Sequence, residues 1–222
     1  MRVAVLTLTR DRLEYTEHCF GLLHELAGCD FDHYVFDQAS EDGSRDWLLG
    51  QRFAHLTLAN ENVGINRGVN YLIDQAVPKG YDVIVKFDND CELIQPDTLR
   101  RISELVVDGD AILSPRILGL NNPPSPIGGS FIGDEQILLL THVGGIFLAA
   151  PAKLYAQGYR HRSDAPLHGS DDGDVCVHWR RQGGRVGYVA SLEANHCETT
   201  RGQWERYPEY FQRTLDEGKP RL

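Results

Sequence analysis

Apolar positions along this chain follow two alternating rhythms. Val3-Ala4-Val5-Leu6-Thr7-Leu8 is a short, nearly continuous apolar run and predicts a buried strand. From Arg12 to Ala27 the spacing changes. Leu13, Thr16, Phe20, Leu23 and Ala27 fall three or four apart, the period of a helix with one face inward. Tyr34-Val35-Phe36 restores the strand pattern and ends at Asp37, before a polar loop over 38–44 and a short helix around 45–49. A third strand is predicted at 55–58. Asn62-Val63-Gly64 then opens a helix marked by Ile65, Val69, Leu72, Ile73 and Ala76, which stops before Pro78. Residues 82–87 read as a buried strand, Pro96 as the start of a helix carrying Leu99, Ile102 and Val106, and Ala111-Ile112-Leu113 as a further strand. Strand–helix alternation of this kind predicts an α/β fold with a mostly parallel central sheet flanked by helices.

After residue 115 the alternation breaks. Asn121 to Gly129 is rich in Pro, Gly and Asn, so residues 119–137 are expected to form a long loop and a candidate lid. Ile137–Leu140 and Gly145–Ala149 read as strands, Pro151 as the start of a short helix, Asp171–Arg181 as a helix with an acidic first turn, and Val186–Ala190 as a strand. The stretch 201–222 is aromatic and charged, fit either to pack as a helix or to close over a site. No repeat or linker divides the chain, so one domain over 1–222 is expected.

The net charge of −10 argues against nucleic acid or anionic lipid as the main partner, since both call for a basic footprint. No apolar run is long enough for a signal peptide or a transmembrane segment. Five cysteines, an odd number without a C-x-x-C pair, read as reduced thiols and lead to the expectation of a cytoplasmic protein.

The chemistry is concentrated at element ends. Asp88-Asn89-Asp90 follows a buried strand, and the carboxyl edge of an open α/β sheet is where ligands bind. Two hard oxygen ligands there suit a divalent cation holding a diphosphate. By spacing alone the motif equally describes a turn. Asp171, Asp172 and Asp174 equally describe helix capping, most simply at Asp174. Asp37-Gln38-Ala39-Ser40 fits an Asx-type turn, and His196 a structural histidine.

Taken in order, these elements resemble glycosyltransferase family 2, of the GT-A fold. Thr7-Leu8-Thr9-Arg10-Asp11-Arg12 is similar to that family's P-T-Y-N-R opening, without its proline and tyrosine. Val35 to Ser44 resembles V-V-D-N-x-S-x-D-G-S, and Asn60 to Asn70 resembles N-x-N-x-G-x-x-x-x-x-N. Asp88-Asn89-Asp90 matches D-x-D. Ser170 to Cys176 looks like E-D-x-D-L-C with Asp171 for Glu, and Gly184 to His196 resembles the G-x-R-x-x-Y-V…H ending. The resemblance covers roughly residues 3–200.

It implies a metal-dependent, inverting transfer of a sugar from a nucleoside-diphosphate sugar, a UDP-sugar by preference, to a carbohydrate, lipid-linked or other hydroxyl acceptor. Residues 1–115 would bind the donor and 116–200 the acceptor. Thr9 and Asp37 would contact the base or ribose, joined on the donor side by Asn62, Gly64, Arg67 and Asn89. Asp88 would lie near ribose and metal, and Asp90 and His196 would hold Mg²⁺ or Mn²⁺. Asp172 would be the general base, with Asp171 beside it. An apolar floor of Val143, Ile146 and Phe147 is expected to orient the acceptor. Two rivals remain at this level. A nucleotidyltransferase calls for a glycine-rich phosphate loop after the first strand, which Thr9-Arg10-Asp11-Arg12 lacks. A non-catalytic nucleotide-sugar or carbohydrate-binding domain is disfavoured by the presence of both Asp90 and Asp172.

Overall fold

The computed structural model describes residues 1–164 and 171–217, with Asp171 and Thr200 as backbone only. The first half alternates as its periodicity predicts: β1 (Val3–Thr9), α1 (Leu13–Leu26), β2 (Asp32–Asp37), α2 (Ser44–Leu49), β3 (His55–Leu58), α3 (Ile65–Ala76) and β4 (Val83–Phe87). A short strand β5 (Cys91–Leu93) follows, then α4 (Thr98–Gly109) and β6 (Ala111–Leu118). The second half holds β7 (Gly128–Ile132), β8 (Glu135–Leu139), β9 (Phe147–Pro151), α5 (Ala152–Ala156), α6 (Asp171–Arg181), β10 (Arg185–His196), α7 (Thr200–Arg206) and α8 (Pro208–Glu217).

The ten strands among the described residues join one mixed sheet, in the order β3-β2-β1-β4-β9-β6-β10-β8-β7, with β5 paired to the end of β10. β1 to β4 run parallel. β9 is antiparallel to both β4 and β6, while β6 and β10 are parallel. The carboxyl ends of β1, β2, β4 and β10 therefore open on one edge. That edge carries Thr9, Asp37, Asp88–Asp90 and His196.

The sheet is covered on both faces. Along β1, Val3 and Val5 enter the core beneath α1 and α4, while Ala4 and Leu6 enter the core beneath α3, α5 and α6. Two buried faces explain why the strands read as continuous apolar runs rather than alternating ones.

Four local expectations are corrected. Residues 128–139 are not loop; β7 and β8 form an antiparallel hairpin, and only 119–127 leaves the lid candidate without regular structure. Glycines at 128 and 129 hid the strand, because pairing there rests on the backbone. Pro96 does not open α4. Asp97 turns left-handed at φ 61, and the Thr98 hydroxyl donates to the Gln95 carbonyl, so the helix begins at Thr98. β9 starts at Phe147, after the Gly144-Gly145 loop. β10 runs on to His196 through a register shift between Val189 and Glu193, and its extension pairs with β5.

His33 is buried among Phe20, Phe31 and Phe53, bonded to Thr7 Oγ1 at 3.0 Å. Burial, and secondarily His24, lower its pKa from 6.5 to about 3. The unfolded chain binds this proton more readily, so stability falls as pH drops from about 6.5 towards 3 and is fully present above that window. His33→Gln is expected to flatten this acid limb of a melting-temperature profile. A profile parallel to the wild type through pH 6.5–3 would dismiss the effect.

Candidate active site

The loop after β4 is the centre of the site. Asp90 is buried, and its Oδ2 accepts from Arg12 Nη1 at 2.8 Å and Gln203 Nε2 at 3.3 Å, with His196 Nε2 at 3.5 Å. Its backbone carbonyl takes the Cys197 N–H at 2.9 Å, tying the end of β10 to this loop. Burial opposes the charge of Asp90, but the Arg12 guanidinium and His196 hold its carboxyl well below the usual range. For His196, burial alone favours the neutral ring; the hydrogen bond and charge of Asp90 outweigh it and raise its pKa. His196 Nδ1 donates to the Glu198 carbonyl at 2.7 Å, and in the protonated ring Nε2–H faces Asp90.

Asn89 turns inward. Its amide donates to Thr16 Oγ1 at 2.9 Å and its carbonyl accepts from Arg12 Nη2 at 3.2 Å, anchoring the loop on α1. Asp88 is partly exposed, and its backbone N–H donates to the Ile146 carbonyl at 2.9 Å. Its Oδ1 accepts from Lys86 Nζ at 2.8 Å, and the same ammonium donates to the Gly145 carbonyl at 2.7 Å. On the other side of that residue, the Gly145 N–H donates to Asp172 Oδ2 at 3.0 Å, while Gly173 N–H holds Oδ1 at 2.7 Å. One glycine thus links Asp88 to Asp172, at the start of α6, across 84 residues of sequence. The Asp171 side chain lies outside the described residues, as does Ser170.

Thr9 and Asp37 face each other across the β1–β2 pair. Thr9 Oγ1 donates to Asp37 Oδ2 at 3.1 Å, and Ser40 N–H closes the Asx-type turn onto Oδ1 at 3.1 Å. Both side chains are buried and shape the loop floor. Asn62 Oδ1 accepts from the Gly64 N–H at 3.0 Å; Gly64, at φ 86, has a backbone that a side chain would strain. Arg67 points the other way, donating to the Ser163 carbonyl at 3.1 Å, while Asn66 and Asn70 bond the carbonyls of Arg162 and His161. The asparagines of α3 therefore hold the segment that leads towards α6. Val143 and Phe147 are fully buried in the cores on opposite faces of the sheet, and Ile146 is half-buried against the Phe147 core, so the three do not form one floor.

Sequence reading missed Lys86 and Gln203; for 201–222 it offered packing as a helix or closing over a site, and α8 in that stretch forms a roof. Lys86 was the detectable one, a lone lysine inside an apolar strand. The roof is α8, whose Glu217 bonds Arg10 and Asn62 and whose Arg213 pairs with Asp11 and Glu41. Beneath it lies a cavity of about 950 Å³ lined by Arg10, Asn60, Asn62, Glu209, Arg213 and Glu217. A second, of about 800 Å³, is lined by Asp11, Arg12, Tyr207 and Tyr210.

The donor chemistry at Asp90 and His196 fits a hard or borderline divalent ion, since carboxylate and imidazole are common ligands for such ions. No three His, Cys, Asp or Glu side chains gather for one among the described residues. Two protein ligands leave the rest of such an ion's coordination shell to other donors.

No protein-family model matches the chain, and no curated protein sequence matches it. Solved structures do. A mannosyltransferase, PcManGT from Pyrobaculum calidifontis, in complex with GDP-Man and Mn²⁺, superimposes with a TM-score of 0.68 at 18% identity over 99% of this chain and 66% of its own. GalNAc-T7 with UDP, GalNAc and Mn²⁺ gives 0.69 at 10% identity over 88% and 43%. S. aureus TarS in complex with UDP-GlcNAc gives 0.63 at 13% identity over 88% and 58%. The fold is that of GT-A-type glycosyltransferases. This chain spans two thirds or less of the length of each. No helix among the described residues is long and apolar enough to cross a membrane.

Proposed function

We propose that this chain transfers a sugar from a nucleoside-diphosphate sugar to an acceptor hydroxyl, as a family 2-like glycosyltransferase. The observation that carries the proposal is the Lys86–Gly145–Asp172 connection, which couples the D-x-D carboxylate Asp88 to a second carboxylate at a helix start on the same sheet edge. On this reading 1–115 forms the donor half and 116–200 the acceptor half. Thr9, Asp37, Asn62 and Gly64 shape the base and ribose side, with Arg67 and Asn89 supporting the surrounding segments. UDP is the preferred nucleotide.

Asp172 acts as general base. With both oxygens oriented by backbone N–H groups, it takes the acceptor proton as the hydroxyl attacks the anomeric carbon. Direct displacement inverts that carbon. Asp171, its neighbour in sequence, is assigned to the catalytic side with it. Asp90 and His196, with Asp88 nearby, would hold Mg²⁺ or Mn²⁺. When bound, the ion neutralises charge developing on the leaving diphosphate. Lys86 keeps Asp88 and the Gly145 loop in register.

Calorimetry with UDP and GDP tests the donor side. Binding is expected in Mn²⁺ and to weaken about tenfold or more in EDTA, a typical coupling between two ligands at one site. Equal affinity in both would remove the metal. Absence of nucleotide binding under any condition would remove the donor reading.

A further inference from the structure

Arg12 is a buried cation. It follows Asp11 in the β1–α1 loop, and both adopt left-handed backbone, at φ 48 and φ 56. Two successive non-glycine residues in that region are strained, and a surrounding network imposes the conformation. The Asp11 N–H donates to Ser40 Oγ at 2.7 Å, and Asp11 Oδ1 accepts the Glu41 N–H at 2.7 Å. The turn drives the Arg12 side chain inward, where about 10% of it remains exposed.

There the guanidinium meets Asp90 Oδ2 at 2.8 Å, Gln203 Oε1 at 3.0 Å and Asn89 Oδ1 at 3.2 Å. The Tyr210 ring lies 4.8 Å from its Cζ. Its Nε is buried with no hydrogen-bond partner, and the residue lines the 800 Å³ cavity under α8. A monovalent cation thus holds the carboxylate that the proposed function assigns to a divalent one. The two cannot share Asp90 without strong repulsion. A diphosphate resolves the conflict. Its oxygens can accept the planar fork of an arginine in two parallel bonds, which would draw Arg12 off Asp90 and supply further ligands for the ion.

We propose that Arg12 is a diphosphate contact that holds the cation position at Asp90 until the nucleotide arrives, so that the metal enters only together with the nucleotide. This rests on the donor-binding reading above. Gln203 and Tyr210, from α7 and α8, clamp Arg12 in the waiting position.

The test is Mn²⁺ binding to the full chain without nucleotide, followed by electron paramagnetic resonance of the free ion. Arg12→Gln is expected to bind Mn²⁺ about 10- to 100-fold more tightly than wild type, within the range of couplings between sites. It should also lose affinity for metal-free UDP. Arg12→Lys, which keeps the charge, should stay near wild type for Mn²⁺. Should Arg12→Gln fail to fold, Tyr210→Ala loosens the clamp from the partly exposed α8 and is expected to gain about fivefold. An unchanged Mn²⁺ affinity in the folded variant overturns the proposal, as does wild-type protein that binds Mn²⁺ equally well with and without UDP. If UDP binds no form of the protein, the donor reading and the diphosphate role of Arg12 both fall. The Mn²⁺ comparison then still decides, separately, whether Arg12 guards Asp90.

Discussion

Asp172→Asn is expected to lower sugar transfer by about 10²- to 10⁴-fold, the range for loss of one general base, while leaving the fold and donor affinity in place. The geometry allows this separation. Asp172 is held by the N–H groups of Gly145 and Gly173. An asparagine carbonyl can accept one of them, so the loop loses at most one hydrogen bond, on the order of 1 kcal/mol. A base on the acceptor matters in the transition state and little in donor binding, so kcat falls and the nucleotide Kd does not. The measurements are transfer rate, nucleotide calorimetry and melting temperature on the same preparation. Full activity in the variant would strip Asp172 of the catalytic role. A loss that tracks a lowered melting temperature would return it to helix capping.

Asp90→Ala has the largest expected effect on stability. It leaves the Arg12 guanidinium buried without its carboxylate. Removing one partner of a buried pair costs about 3–5 kcal/mol. For a chain of this size that is roughly 6–20 °C in melting temperature. Because a buried ion pair replaced by apolar residues of similar volume is often neutral, the double variant Arg12→Met with Asp90→Leu should recover most of the loss. Thermal melts without metal or nucleotide decide it. A double variant as unstable as the single one would mean that Asp90 contributes through something other than its pairing with Arg12.

Much of the architecture was legible in residue order because it depends on local spacing. The strand at Val3–Thr9 is written in a continuous apolar run, the helix at Ile65–Ala76 in a period of 3.6, and the helix at Asp171–Arg181 in an acidic first turn. Asp88 and Asp90 were locatable because a polar pair ending an apolar run marks the edge of a sheet. The β7–β8 hairpin was not legible, because Gly128 and Gly129 pair through backbone alone and carry no side-chain pattern. Lys86 was visible as an anomaly, yet nothing local told which atoms it meets.

What the chain determined by itself is thus the set of elements and the carboxylates at their ends, since hydrophobic period and turn chemistry act between near neighbours. What the tertiary structure alone decided is which distant groups share a site. Gly145 bridges Asp88 and Asp172 because β9 runs antiparallel beside β4 and places its leading loop against the end of that strand. Arg12 reaches Asp90, and Gln203 closes over both, because three segments far apart in sequence converge on one sheet edge. Contacts between such segments depend on the path of the whole sheet, which no window of residues encodes.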